Sequence, residues 1–129
     1  MARNYRLVVF DWDGTLLDSA AAIVASIQAA ARDLGHRPPD EATARQVIGL
    51  GLHDALSQAL PGVPAEDYRQ VAERYRHHYL AQDHELSLFD GARELVEELA
   101  DAGYLLGVAT GKSRLGLDRA LQASGLGAF

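Results

Sequence analysis

The chain has 129 residues, of which 48% are hydrophobic and 23% charged, so it predicts one or two small globular units and not a disordered segment. Its formal net charge of −6 at pH 7 argues against a nucleic-acid partner, and its lack of cysteine excludes disulfides and thiolate metal sites. The longest apolar runs fall well short of the roughly 20 residues needed to span a membrane, so we expect no membrane association and a cytoplasmic location.

The first predicted element is a β-strand, followed at once by a loop rich in carboxylates. Leu7–Phe10 is an unbroken apolar run, which is typical of a strand buried on both faces of a parallel sheet. It leads directly into Asp11, Asp13 and Gly14. Two carboxylates in different environments can divide the roles of nucleophile and proton donor, and a glycine lets backbone N–H groups turn toward an anion. Because ligands bind at the carboxyl ends of parallel strands, this loop is a candidate site.

The middle of the chain changes to helical periodicity. Apolar positions recur at helical spacing after Asp18 and Ser19, a typical helix-capping pair, and this first helix is predicted to end before Gly35. Three further helices are predicted from the same spacing, at residues 43–48, 53–60 and 64–81.

The last third of the chain returns to an α/β pattern. A helix capped by Asp90 and closed by Gly103 precedes a second apolar strand at residues 105–109 and a final helix at residues 113–124. This order indicates an α/β core interrupted by an all-helical insertion after its first strand. The predicted division is a core of residues 1–18 and 87–129, with the insertion, which we name the cap segment, at residues 19–86.

Two sequence motifs resemble those of the haloacid dehalogenase superfamily. The segment from Phe10 to Ser19 is similar to the first motif, in the branch with a helical cap that includes phosphoglycolate phosphatase. Residues 108–112 resemble the second motif, residues 89–95 resemble the segment that leads from cap back into core, and Gly49 with Gly51 resembles the cap loop that dips toward the active site. The resemblance implies a haloacid dehalogenase-like Rossmannoid core with parallel strands, incomplete in this chain, and a helical cap.

The resemblance also implies a role for each matching residue. Asp11 would be the nucleophile, forming a phospho-aspartyl intermediate and binding Mg²⁺. Asp13 would protonate the leaving alcohol, activate the hydrolytic water and bind Mg²⁺ through its carbonyl. Thr110 and Gly111 would hold the phosphoryl oxygens, with Lys112 assigned to the same group.

Asp13 favours a phosphatase over a dehalogenase, because an alkoxide leaving group needs a proton and a halide does not. The function expected from the motifs is therefore hydrolysis of a small phosphorylated metabolite. Two alternatives stay open: a sugar-phosphate mutase of the same superfamily, and a non-catalytic phosphate-binding fragment. A homo-oligomer is possible.

The chain also departs from the family pattern. The lysine of the third motif and the acidic pair of the fourth are expected beyond Phe129. Lys112 lies too close to Thr110 to be that lysine, and a solvated surface position is an alternative role for it.

Five cap residues have separate hypotheses. Tyr68, Tyr75 and Tyr79 recur at helical spacing and are predicted to pack within the cap segment, not to form a substrate site. Arg45 and His53 flank the glycine loop and are the cap residues predicted to touch substrate.

Overall fold

The computed structural model describes residues 4–129, in which two β-strands and six α-helices alternate with short turns. In chain order they are β1 Leu7–Phe10, α1 Ala20–Asp33, α2 Glu41–Arg45, α3 Leu52–Ala59, α4 Tyr68–Gln82, α5 Ala92–Asp101, β2 Leu105–Val108 and α6 Arg114–Ser124. Single 3₁₀ turns precede and follow α4 and end the chain, at Ala65–Asp67, Asp83–Glu85 and Leu126–Ala128. No helix in the described part of the chain is both long and apolar enough to cross a membrane.

The two strands pair in parallel, which confirms the predicted α/β fold. Leu7 lies opposite Leu105, and Phe10 lies opposite Val108. The observed β2 is one residue shorter than predicted, although the N–H of Ala109 still donates to the carbonyl of Phe10 at 2.8 Å. The carboxyl ends of both strands therefore meet at one edge of the sheet, and the two candidate loops begin side by side there.

Burial of β1 on both faces, predicted from its apolar run, is not reached within the described residues, where one face of the sheet is open, as expected for an incomplete core. Leu7 and Val9 are 54% and 52% exposed, whereas Phe10 packs against the core that contains α5 and α6. Leu105, opposite Leu7, is 68% exposed. The reason is that successive side chains of a strand point to opposite faces. Within the described residues, helices cover one face of this two-stranded sheet and leave the other open.

The apolar residues form two clusters, one on each side of Leu86. The first packs helices α1 to α4 around Ile27, Leu56 and Val71. The second surrounds Trp12 with side chains from the sheet, α5 and α6. Leu86 is half-buried against both clusters. The division of the chain at residues 18/19 and 86/87 stays a prediction that this arrangement supports.

Two helix starts differ from those predicted. Asp90 does not cap α5: the N-cap is Gly91, which adopts a left-handed conformation with φ +84°. Helix α2 begins at Glu41, two residues before the predicted start, because the carboxylate of Asp40 accepts from the N–H of Thr43 at 2.8 Å and so satisfies a free donor of the first turn. The other predicted helices agree with the structure to within a few residues at their ends.

The cluster of α1 to α4 should contribute most of the stability of the cap segment. Leu56 is 1% exposed in α3, and Leu56→Ala should lower the free energy of unfolding by about 2–5 kcal/mol through lost burial and the cavity left behind. The matched control is Leu115→Ala in α6, where the leucine is 83% exposed and the change should stay within about 0.5 kcal/mol. Denaturant titrations of both variants measure the two values. Equal losses would show that Leu56 is not a core residue.

Candidate active site

The loop after β1 presents Asp11 at the edge of the sheet. Asp11 is exposed, and its Oδ1 accepts from the N–H of Trp12 at 2.8 Å. The carbonyl of Trp12 in turn accepts from the N–H groups of Thr15, Leu16 and Leu17 at 3.0–3.2 Å, which closes the loop into a compact turn. Because Trp12 is fully buried, the base of the loop is fixed in the core while the Asp11 carboxylate stays accessible.

Asp13 is enclosed by polar partners. It is 8% exposed, its Oδ1 accepts from the hydroxyl of Ser19 at 2.8 Å, and its Oδ2 lies 3.7 Å from Nζ of Lys112. A hydroxyl can both donate and accept, so Ser19 can orient the Asp13 carboxyl group in either protonation state.

The role of Ser19 was missed in the sequence. Ser19 is the N-cap residue of α1, as the sequence predicted, but its side chain makes no capping hydrogen bond. The fully buried hydroxyl turns back to Asp13 instead, because a buried carboxylate needs a donor. The available signal was the position of Ser19 at the end of the first motif.

The loop after β2 brings the second group of predicted residues to the same edge. The side-chain oxygen of Thr110 accepts from the N–H of Lys112 at 3.1 Å. Gly111 lies directly under the cap loop: a β-carbon built on it would be 2.4 Å from the carbonyl carbon of Leu50 and 2.5 Å from the nitrogen of Gly51. Real β-carbons do not approach backbone atoms so closely, so this contact between core and cap requires glycine.

The cap loop covers both loops of the core. The β-carbon position of Gly49 is 3.9 Å from Oδ2 of Asp11, and that of Gly51 is 3.9 Å from the carbonyl oxygen of Gly111. The structure thus brings together the residues singled out in the sequence, namely Asp11, Asp13, Gly49, Gly51, Thr110, Gly111 and Lys112. Their individual chemical roles stay predictions.

A cavity of about 1250 Å³ opens between the cap segment and the core. From the core it is lined by Asp13, Thr110 and Lys112, and from the cap by Tyr75 and Tyr79. The two tyrosines also pack within the cap, so the prediction of a purely packing role for them was incomplete.

Arg45 and His53 are not among the described residues that line this cavity, and the hypothesis that they touch substrate is not supported. Arg45 pairs with Glu41 at 2.9 Å along α2. The ring of His53 packs edge-on against Tyr68, with 5.1 Å between centroids. Both side chains contact other cap residues in this arrangement, and their contact with substrate stays a prediction.

Lys112 occupies the cavity instead of the solvated surface that was its alternative role. Its side chain is 19% exposed, and its Nζ lies 4.8 Å from the centre of the Tyr79 ring as well as 3.7 Å from Oδ2 of Asp13. Lys112 thereby contacts a carboxylate of the loop after β1 and a helix of the cap segment.

A bidentate ion pair joins the end of the cap segment to α6. Nε and an Nη of Arg119 donate to the two carboxylate oxygens of Asp83 at 2.8 and 3.0 Å. The hydrogen bond from Arg119 holds the pKa of Asp83 below its usual range. Bidentate arginine–carboxylate pairs are geometrically specific, so this contact favours the closed arrangement seen here.

The oxygen atoms of Asp11 and Asp13 could supply part of the coordination shell of a hard divalent cation. Asp11 and Asp13 supply oxygen ligands at one strand end, while no cluster of three or more His, Cys, Asp or Glu side chains suited to a metal occurs among residues 4–129. Mg²⁺ commonly keeps several waters and binds through one or two carboxylates together with substrate phosphate oxygens. The residues present are therefore compatible with Mg²⁺ and would form part of its coordination shell.

The contact at Gly111 makes a prediction about cap closure. Gly111→Ala keeps the backbone N–H but should push the loop of residues 49–51 away from the core, because its β-carbon would overlap backbone atoms of Leu50. A displacement of about 1 Å in an active site can lower kcat/KM by about 10²-fold, and we expect a loss of that order. Small-angle scattering should show a larger radius of gyration.

The matched control is Gly51→Ala on the other side of the same contact. Its β-carbon would lie at an ordinary 3.9 Å from the nearest atom, and its backbone φ of −58° suits alanine. This variant should resemble the parent protein in both measurements. If Gly111→Ala also left activity and dimensions unchanged, the cap loop would not rest on Gly111 in solution.

Two carboxylates at the carboxyl edge of parallel strands, covered by a helical insertion, form the kind of site at which α/β proteins bind ligands. The sequence profile described as haloacid dehalogenase-like hydrolase matches residues 8–129, and the chain belongs to that family.

Similar proteins include several phosphatases and the tyrosine-protein kinase PtkA. The chain is 31% identical to a phosphoglycolate phosphatase of Vibrio cholerae, over 98% of this chain and 60% of that protein. It is 37% identical to the tyrosine-protein kinase PtkA of Mycobacterium tuberculosis, over 94% of this chain and 41% of PtkA. A crystal structure of a predicted phosphatase from Clostridium acetobutylicum aligns with a TM-score of 0.79 and 28% identity, over 92% of this chain and 55% of that one. The chain thus spans roughly half the length of these relatives.

Proposed function

We propose that the protein is a Mg²⁺-dependent phosphatase that hydrolyses a small phosphate monoester through a phospho-aspartyl intermediate. The observation that carries the proposal is the arrangement at the end of β1: an exposed Asp11 carboxylate, with the cap loop 3.9 Å from its Oδ2 at Gly49, and two residues later a buried Asp13 that lines the cavity. The phosphatase names of several relatives support the same class of reaction, and phosphoglycolate is the first substrate to test.

In the first step, an oxygen of Asp11 attacks the phosphorus atom. Oδ1 is held by the N–H of Trp12, which leaves Oδ2, on the side of Gly49, to act as the nucleophile. As the new P–O bond forms, the bond to the substrate oxygen breaks, and Asp13 gives its proton to the leaving alkoxide. The product alcohol departs and the phosphoryl group stays on Asp11.

In the second step, Asp13 is ionised and takes a proton from a water molecule that attacks the phosphorus. The bond to Asp11 breaks, inorganic phosphate leaves and Asp13 is again protonated. Ser19 keeps the Asp13 carboxyl group oriented in both steps. A cap closed by the Gly111 contact would keep bulk water away from the intermediate.

The loop after β2 would bind the transferred group. Thr110 and the N–H of Gly111 can donate to phosphoryl oxygens, and the ammonium group of Lys112 supplies positive charge beside Asp13. Phosphoryl transfer depends mainly on positioning and charge neutralisation, which these groups provide. Mg²⁺ held by Asp11 and Asp13 would neutralise further charge on the phosphoryl oxygens.

A panel of phosphorylated metabolites, assayed for phosphate release with Mg²⁺ and after chelation, tests the proposal. Release of phosphate that stops on chelation supports it. Isomerisation of a sugar phosphate without phosphate release would identify a mutase instead, and binding of phosphate without turnover of any substrate would identify a non-catalytic protein. We propose a cytoplasmic location, where such metabolites and Mg²⁺ are available.

Transfer of the phosphoryl group to a tyrosine hydroxyl is a second candidate, favoured by the 37% identity to PtkA. The two candidates differ in the final acceptor, which is water for a phosphatase and a phenol for a kinase. Incubation with ATP labelled in its γ-phosphate and a tyrosine-containing peptide tests this. Label in the peptide supports the kinase, and label released only as inorganic phosphate supports the phosphatase.

A further inference from the structure

The ammonium group of Lys112 lies at the boundary between core and cap. On the core side it is 3.7 Å from Oδ2 of Asp13, and on the cap side it is 4.8 Å from the centre of the Tyr79 ring. Both neighbours are buried, with 8% of each residue exposed. A cation over the face of an aromatic ring within about 6 Å is attracted by the ring, more strongly when both are removed from water.

The Tyr79 ring packs within the cap segment. It stacks on Tyr75, one helical turn earlier in α4, with 5.8 Å between ring centres and 10° between ring planes. Burial, reinforced by the negative charge of Asp13, raises the pKa of Tyr79, so the phenol stays neutral at ordinary pH. Because Tyr79 belongs to α4, a movement of the cap segment relative to the core would carry the ring away from Lys112.

Asp83, a charged cap residue whose pKa Lys112 influences, does not take over the role of Tyr79. Asp83 is close enough for the charge of Lys112 to contribute a minor part of its lowered pKa, but both of its oxygens accept from Arg119. Lys112 is consequently left with one carboxylate from the core and one ring face from the cap among the contacts described.

We propose that Tyr79 is a positioning residue that holds the Lys112 ammonium group beside Asp13 when the cap segment is closed. The consequence for turnover rests on the proposed function, in which Lys112 meets the phosphoryl group. A lysine carries its charge on a flexible four-carbon stem, so without the ring it would sample other positions. Closure of the cap segment would therefore fix the Lys112 charge at the phosphoryl site in addition to covering that site.

The first test is spectroscopic and does not depend on activity. Lys112 is the single lysine among the 129 residues, so labelling with ¹³C-lysine gives one lysine spectrum that belongs to this side chain. If the protein expressed is longer and contains other lysines, the signal of Lys112 is the one that disappears in Lys112→Arg. Protons above an aromatic ring are shifted upfield, so the ε-methylene signal should lie upfield of its position in urea. Tyr79→Phe should keep this shift and Tyr79→Leu should lose it.

The control for general damage to the cap is Tyr68→Leu. Tyr68 is also in α4 but packs on His53, so its replacement should leave the Lys112 signal in place. If the signal of the parent protein coincides with that in urea, or is the same in Tyr79→Leu, the proposal is wrong. The comparison of the parent protein with urea stands even if Tyr79→Leu does not fold.

The second test is kinetic and asks whether Tyr79 acts through Lys112. Tyr79→Leu should lower kcat/KM by about 3- to 30-fold in the parent protein, the range expected for a lost cation–π contact. It should have little further effect in the Lys112→Met protein. Equal losses in both backgrounds would assign Tyr79 a packing role alone. Absence of phosphatase activity in every protein would contradict the proposed function, and the spectroscopic test would still decide the role of Tyr79.

Discussion

Asp11→Asn should abolish phosphatase turnover, with kcat falling by about 10⁵-fold or more, as expected when a catalytic nucleophile is removed. The amide is nearly the same size as the carboxylate and can still accept from the N–H of Trp12, so the loop should keep its shape. It carries no negative charge to attack phosphorus or to bind Mg²⁺. Steady-state assays with the best substrate from the metabolite panel measure the loss.

The matched control is Asp18→Asn, which removes the same charge from an exposed position on the same segment, outside the cavity. It should keep activity close to that of the parent protein. Peptide mass spectrometry of protein quenched in acid after treatment with acetyl phosphate should show a phosphorylated Asp11 peptide in the parent and Asp18→Asn proteins. Turnover by Asp11→Asn within tenfold of the parent value would rule out Asp11 as the nucleophile.

The elements that depend on local sequence were predicted well. The strand at Leu7–Phe10 and the helix at residues 20–33 follow from periodicity, capping residues and glycines within one short segment. The Asp11 and Asp13 loop was found for the same reason, since a motif is itself a local pattern. Placement of the second loop beside it followed from the rule that parallel strands share one carboxyl edge.

Features that depend on distant partners were missed or wrong. The bond between Ser19 and Asp13 required knowing that the residue before α1 turns toward the loop, and a capping role explained the same serine equally well. The pair of Asp83 and Arg119 joins residues 36 positions apart, which no spacing rule predicts. The exposure of Leu7 depends on which helices cover each face of the sheet, and an apolar run alone does not reveal that.

The same distinction explains the position of Lys112. In the sequence it is a polar residue after a strand, where a solvated lysine and a phosphate-binding lysine look alike. Only the three-dimensional position of α4 relative to the loop after β2 places the Tyr79 ring over it. The cap segment therefore determines the environment of Lys112, whereas the motif alone identifies this residue only as a candidate for phosphate binding.

Asp13→Asn should slow hydrolysis of alkyl phosphates by about 10²- to 10⁴-fold, the range for a lost general acid. The loss on p-nitrophenyl phosphate should be much smaller, because p-nitrophenolate is stable enough to leave without a proton. The asparagine side chain can still accept from the hydroxyl of Ser19, so the difference between substrates reports proton transfer and not a disordered loop. Initial rates on both substrates under the same conditions give the two ratios.

Ser19→Ala tests the orientation of the Asp13 carboxyl group separately from its ability to donate a proton. It keeps the carboxyl group but removes the hydroxyl 2.8 Å from Oδ1, so the proton remains available in a less well-defined position. We expect a smaller loss of activity than for Asp13→Asn, again larger on alkyl phosphates than on p-nitrophenyl phosphate.

Equal losses on the two substrates in Asp13→Asn would mean that Asp13 does not protonate the leaving group. Its contacts with Ser19 and Lys112 would then serve only to organise the loop around Asp11.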